Sequence, residues 1–552
     1  MKRFRGAPIA AILIALVASV PAAAQQSGAV HEALQKVVTQ EQDLVKMFGN
    51  YSPRVETYIQ ENHTDKEGAM RIIGDDYFLG RLVVKNGVVE QSFLPSSHFT
   101  LHGIMRKVLL YGPILDLLSF RLKPGTFAYP ILIDPQNFDL AHYDLEFAGR
   151  EFLGQVRCLV FNVRPRAQAG KGLFEGRIWV EDKGYHIVRI NGTRGKHSNF
   201  TFHFDSWREN LQPGLWLPVY VYSEETNLAS YGVAHRGFRS QTRLWGYVLK
   251  ATTPDQELTQ ILVESKSPVK DASAQSHDNS PLESERDWRH EAEQNVLNRL
   301  QKGGLLAPPS PVDKVLETVV NNLILTNKLD SLPTIYCRVL MTYPLESFTV
   351  GDTIVLSRGL IDVLPDEASL AMVLAHELAH IKLGDQINTN YSFYDRMVVP
   401  DEQLLKTFDF ARSEQQEQAA DQEAIVLLQN SPYKDQLGKA GLFLKALAEI
   451  APETPNLFGA HLGDRMIDEH QQLRMAQLMQ GAPQLQPNST DQIAALPLGA
   501  RVKVDSWDDE IRLVKSAPVA LISAKDKMPF EVTPLIPYLT PYSDKANPQA
   551  QR

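Results

Sequence analysis

A chain of 552 residues with 43% hydrophobic content is long enough for two or three domains, each with its own core. Its net charge of -9 argues against nucleic acid as a partner, because a phosphate-binding surface needs an excess of Lys and Arg. The only two cysteines, Cys158 and Cys337, do not make a disulfide framework.

Lys2, Arg3 and Arg5 precede an apolar run from Ala7 to Val20, which ends in Pro21-Ala22-Ala23-Ala24-Gln25, a small-residue site suited to signal peptidase. Residues 1–24 are therefore expected to be a signal peptide, and the mature protein to be exported, periplasmic or elsewhere in a bacterial envelope. The run is short of the roughly 20 apolar residues of a membrane span, and no later segment approaches that length. An uncleaved anchor is the alternative. Residues 25–75 read as a helical segment, with an amphipathic stretch over Val30–Phe48, a break at Tyr51-Ser52-Pro53 and a second short helix through Gln60.

Residues 76–264 alternate as strands, for example Phe174-Glu175-Gly176-Arg177-Ile178-Trp179-Val180 and Asn199-Phe200-Thr201-Phe202-His203-Phe204, with turns at Asp182-Lys183-Gly184 and Gln212-Pro213-Gly214. This β-rich region, with Trp179, Trp207 and Trp216, resembles in pattern the lipoprotein carriers LolA and LolB, whose curved sheets hold acyl chains. The other reading is a packed β-domain whose aromatics fill its own core. Cys158 and Cys337 each sit among strand-like apolar residues in different regions and are expected as separate buried thiols. Residues 265–285, rich in Ser, Asp, Lys and Pro, form a linker; residues 286–482 form a second domain and 483–552 a C-terminal extension with strands near Arg501–Val504 and Ala517–Ile522. Within it, Arg501–Thr540 is expected either to cover a cleft of the second domain at rest or to pack outside it.

The chemistry is concentrated in the second domain. His376-Glu377-Leu378-Ala379-His380 reads HExxH, which on a helix projects two imidazoles from one face to bind a single zinc ion and leaves Glu377 beside the first to polarise a water. Pro365-Asp366-Glu367 marks the helix start, Gly384 its end, and Leu370, Leu374, Leu378 and Ile381 a buried seam from which both histidines are offset. A catalytic zinc needs a third protein ligand. In the helical stretch Ala411–Asn430, Glu417 supplies one, and Asp421, four residues on, can accept a hydrogen bond from a ligand imidazole. Ala419, Ala420 and Ala424 allow the two helices to approach closely.

From about Pro311 to Leu478 the chain resembles the zinc metallopeptidase family that contains the CAAX prenyl endopeptidase, HtpX and BepA. The resemblance rests on Val373–His380, on Glu417-Gln418-Ala419-Ala420-Asp421 as an ExxAD motif, and on the upstream strand and turn Asp352–Leu360. It implies zinc held by His376, His380 and Glu417, Glu377 as general base, and substrate bound by strand addition near Thr353–Ser357. It also implies a late histidine that stabilises the oxyanion or gates the metal; His470 is preferred over His461, with Arg474-Met475 following.

The expected fold is α+β: a mainly helical, zincin-like metallopeptidase domain with a short sheet, preceded by the β-rich domain. The expected function is zinc-dependent hydrolysis of peptide bonds in unfolded or misassembled envelope polypeptides, with possible outer-membrane or lipoprotein association. A chaperone-like or lipoprotein-binding protein with a gated or structural metal site is the competing reading.

Overall fold

The computed structural model describes residues 21–64, 70–85, 88–93, 127–153, 156–167, 169–170, 173–194, 202–225, 236–247, 281–387, 389, 392, 408–459, 462–467, 473–485, 502–504 and 511–513. The first unit begins with helix α1 (Pro21–Phe48) and continues as ten strands: β1 (Arg54–Thr64), β2 (Met70–Lys85), β3 (Val88–Phe93), β4 (Tyr143–Leu153), β5 (Val156–Pro165), β6 (Phe174–Glu181), β7 (Ile187–Arg194), β8 (His203–Gln212), β9 (Leu215–Glu225) and β10 (Arg236–Trp245). They form one antiparallel sheet in the order β3-β2-β1-β10-β9-β8-β7-β6-β5-β4. The architecture is α+β, as expected from sequence.

Strands begin earlier than the sequence suggested. The short helix expected through Gln60 is strand β1, which lies inside the sheet between β2 and β10. Both faces of β1 are covered. Val55 and Ile59 join the core under α1, while Tyr58 joins the core of the second unit. A strand buried on both faces loses the alternation by which strands are recognised, and its apolar positions 55, 58 and 59 then imitate helical spacing.

One face of the sheet packs on α1 and the segment Phe127–Phe138, burying Val37, Phe48, Phe127, Phe161, Phe174, Phe204 and Phe238 together. Full burial of each such side chain contributes about 1.5–3 kcal/mol. Gly176 and Gly192 face each other across β6 and β7, where a Cβ on either would strike the partner backbone; the Phe174 ring lies over both. A fully buried ion pair fixes α1 to this face: Arg208 on β8 donates to Glu41 Oε2 at 2.6 Å and Oε1 at 2.8 Å, and to the Ile187 and Ile131 carbonyls. On the opposite face, the Arg189 guanidinium lies between the Trp179 and Trp207 rings, 4.5 and 4.6 Å from their centroids, and is paired with Asp205. Trp179 and partly buried Trp216 pack with Cys158 in a small outer cluster.

The second unit contains α2 (Pro281–Lys302), α3 (Pro311–Thr326), β11 (Tyr336–Leu340), β12 (Glu346–Val350), β13 (Thr353–Ser357), α4 (Arg358–Val363), α5 (Glu367–Leu383), α6 (Glu414–Gln429), α7 (Leu437–Ile450), the single turn α8 (Pro455–Phe458) and the two-residue strand β14 (Asp464–Arg465). Its sheet runs β11-β13-β12-β14. β13 is therefore central, bonded in parallel to β11 and antiparallel to β12, so the strand expected to receive substrate by addition has no open edge. Cys158 and Cys337 are both free and buried, in different units. A final hairpin, β15 (Val502–Val504) and β16 (Ile511–Leu513), packs with β15 against α4 and β16 against α3. The expected strand at Ala517–Ile522 lies outside the described residues, as do the apolar run of residues 1–20 and most of the expected linker. Among the described residues, no helix is long and apolar enough to cross a membrane.

Candidate metal centre

Helix α5 starts where the Asp366 side chain accepts the Ser369 N–H, and ends at Gly384, whose φ of 76° gives the left-handed turn that favours glycine. The histidines are not merely offset from a buried seam. The helix is enclosed on almost every side from Ala368 to His380, because α3, α6 and α7 all pack on it. Helix α6 is set by a capping box in which Ser413 and Gln416 satisfy each other's backbone N–H groups. Its Ala420 and Ala424 are fully buried, and their small side chains let the α6 backbone come close to α5.

That approach brings the two motifs together. His376 and His380 sit one turn apart with their Nε2 atoms separated by 3.2 Å. Glu417 places Oε2 3.2 Å from His376 Nε2 and Oε1 3.8 Å from His380 Nε2. The outer nitrogens face carboxylates: His376 Nδ1 is 2.9 Å from Asp421 Oδ1, at ion-pair distance though not aligned as a hydrogen bond, and His380 Nδ1 is hydrogen-bonded to Asp385 Oδ2 at 2.8 Å. A ring whose Nδ1–H points at a carboxylate presents a bare lone pair at Nε2. With both Nε2 atoms deprotonated, the two imidazoles and the Glu417 carboxylate put three ligand atoms, all buried, within 4.8 Å of one another. A cation satisfies all three at once, and two imidazoles with one carboxylate are a donor set suited to zinc with an open position.

The electrostatics favour positive charge at this point, whether a proton or a metal ion. Burial disfavours a charged His376, but the Asp421 and Glu417 carboxylates outweigh it and hold its pKa well above the usual imidazole range. His380 is lowered by burial and by the neighbouring His376. Burial alone would raise Glu417; contacts with His376 and Asp464 and the charge of Arg474 instead pull it down to about 2.

Glu377 is fully buried beside this cluster. Ser347 on β12 donates to its Oε1 at 2.6 Å, and Oε2 has no hydrogen-bond partner among the described residues. Ser347, Met372, Val373, His376, Asp464, Met466, Arg474 and Met475 line a cleft with a volume of about 20 Å³, room for one water molecule. Arg474 reaches Glu417 Oε2 at 3.1 Å. Asp464, opposite Ser347 across β12 and β14, is raised well above the carboxylate range by burial and by Glu377 and Glu417.

The structure thus brings together His376, Glu377, His380, Glu417 and Asp421. His461 and His470 lie outside the described residues. Sequence reasoning missed Asp385, Ser347 and Asp464. Asp385 follows the Gly384 helix stop, a position from which a side chain can turn back onto the last helical turn, and that was the available signal. Ser347 and Asp464 meet only through strand pairing and left no local trace.

Residues 316–399, which include the HExxH helix but not Glu417, match the model of Peptidase family M48. The second unit carries an M48 peptidase domain. No curated protein matches the chain. Among solved structures, the chain is similar to an outer membrane lipoprotein-sorting protein domain from Vibrio parahaemolyticus (10% identity, 42% of this chain, 99% of that chain, TM-score 0.20). It is also similar to a DUF1329 family protein from Desulfovibrio piger (12%, 41%, 95%, TM-score 0.19) and a LolA superfamily protein from Nitrosomonas europaea (12%, 40%, 95%, TM-score 0.18). Scores of this size carry no argument about what the sheet unit binds.

Proposed function

We propose that the M48 domain makes this chain a zinc metalloendopeptidase. The observation that carries the reading is the convergence of two imidazole nitrogens and the Glu417 carboxylate at one buried point, with a second carboxylate, Glu377, beside it. His376, His380 and Glu417 would hold the metal, and Asp421 and Asp385 would fix the two ring tautomers. Zinc, when bound, supplies Lewis-acid activation of a water and of the scissile carbonyl.

Glu377 takes the proton from the attacking water through Oε2, while the Ser347 hydroxyl holds Oε1 and so fixes the plane of the carboxylate. The same carboxyl then returns the proton to the leaving amine. Arg474 and Asp464 line the approach, where they can orient a peptide. The leader-like N-terminus supports an exported enzyme, and unfolded or misassembled envelope polypeptides are the proposed substrates. The test is hydrolysis of an unstructured polypeptide by the full chain, with and without a chelator, alongside Glu377→Gln. Turnover is expected to fall about 10²- to 10⁴-fold in the variant while zinc is retained. Chelator-sensitive turnover close to that of the unsubstituted chain would refute the assignment of Glu377.

A further inference from the structure

Two buried carboxylates of the ten-stranded sheet reach out of their own unit and hold backbone of the M48 domain. Asp75 on β2, only 4% exposed, accepts from Asn456 N at 3.0 Å and Asn456 Nδ2 at 3.1 Å through Oδ1, and from Leu457 N at 2.8 Å through Oδ2. Tyr58 OH donates to the same Oδ2 at 3.2 Å. All four partners are donors, which suits an ionised carboxylate; burial pushes the group the other way, up to about 7. Glu56 on β1 accepts from Tyr343 N and from Tyr77 OH, both at 2.7 Å. The Arg243 guanidinium lies over the Tyr343 ring at 4.5 Å, and Tyr58 packs on that ring.

The gripped segments lead directly into the cleft. Leu457 O accepts the Leu345 N–H at 2.8 Å, so the turn held by Asp75 is bonded to the segment held by Glu56. The next residue, Glu346, is fully buried and accepts the Leu462 and Gly463 N–H groups through Oε2, tying β12 to the loop that carries Asp464. Ser347 follows, and its hydroxyl holds Glu377. Hydrogen bonds and the consecutive residues Leu345, Glu346 and Ser347 therefore join the sheet to a wall of the cleft.

We propose that the sheet unit is a working part of the peptidase site, in which Asp75 and Glu56 are positioning residues that set Ser347, and through it Glu377, and the Asp464 loop. This rests on the peptidase reading for its kinetic consequence but not for its structural one. The run meets the motif helices only at the Glu377 side chain; their backbones are held by their own caps and by helix packing.

The experiment uses the full chain and compares Asp75→Asn, which turns an amide NH2 toward donors whichever way it lies, with Glu56→Leu, which removes the acceptor of the Tyr343 N–H. Amide hydrogen exchange is followed with zinc content and hydrolysis of an unstructured polypeptide. Both variants are expected to retain zinc, to exchange faster at Leu345–Phe348 and Leu462–Asp464 with α5 and α6 unchanged, and to lose about 10- to 100-fold in kcat with little change in KM. A folded variant whose exchange at those two segments matches the unsubstituted chain overturns the proposal, whatever its activity. Faster exchange with unchanged kcat overturns the positioning role. An unsubstituted chain without hydrolysis would refute the peptidase reading, and exchange would still decide the coupling.

Discussion

The Arg208–Glu41 pair offers a quantitative test of what holds α1 to the sheet. Arg208→Met leaves the Glu41 carboxylate buried without its two guanidinium donors, and Glu41→Leu leaves the guanidinium with only the Ile187 and Ile131 carbonyls. Two charge-assisted bonds at about 1.5–3 kcal/mol each give about 3–6 kcal/mol, which agrees with the about 3–5 kcal/mol typical of breaking one side of a buried pair. For a domain of roughly 150–250 residues, each kcal/mol moves Tm by about 2–4 °C, so each single variant should melt about 6–20 °C lower. The double variant Glu41→Leu/Arg208→Met removes both charges and should recover most of that loss, because desolvation of the pair offsets much of its attraction. Calorimetry on the full chain, following the transition of the sheet unit, reads all three. Single variants within about 2 °C of the parent would show that α1 is held by apolar packing alone and that the pair is energetically idle.

Glu417→Ala should lower bound zinc well below one per chain by elemental analysis, since two imidazoles alone do not complete the site. Asp385→Asn should weaken zinc binding about 10- to 100-fold in a chelator competition while leaving the fold intact, because His380 loses the partner that fixes its tautomer. The cysteines should resist alkylation at about pH 8 in the native chain and react on unfolding, since burial pushes Cys158 up to about 11 and Cys337 higher still. Rapid native labelling of either would place it at the surface.

What was legible in the sequence was local. HExxH and ExxAD fix two helices because three- and four-residue spacings decide which side chains share a face, and the start at Asp366 and the stop at Gly384 are single-residue signals. Of the small residues expected to let the helices approach, Ala420 and Ala424 lie between them, while Ala419 is exposed. Illegible were features created by pairing between distant segments. Thr353–Ser357 reads as a strand but not as a central one, because the neighbours on its two sides come from residues 336–340 and 346–350 in a register no local pattern encodes. Arg54–Thr64 misled for a different reason: both of its faces are covered, one by α1 and one by the M48 domain.

The place of β1 in the sheet has a consequence for the order in which the molecule can assemble. The first strand to leave the ribosome pairs with β10, the last of its sheet, from Arg54 opposite Trp245 to His63 opposite Arg236. Until that last strand arrives, with residues 236–245 of the 552, β1 has one unsatisfied side and the chain carries an exposed row of peptide groups. Closure over so long a loop is slow. The surface that receives Tyr343 and Asn456 is made of β1, β2 and β10 together, so it exists only after closure. The cleft wall of the peptidase is bonded to that surface, so the second unit, which follows the sheet in the chain, completes its site on a platform that must already have closed.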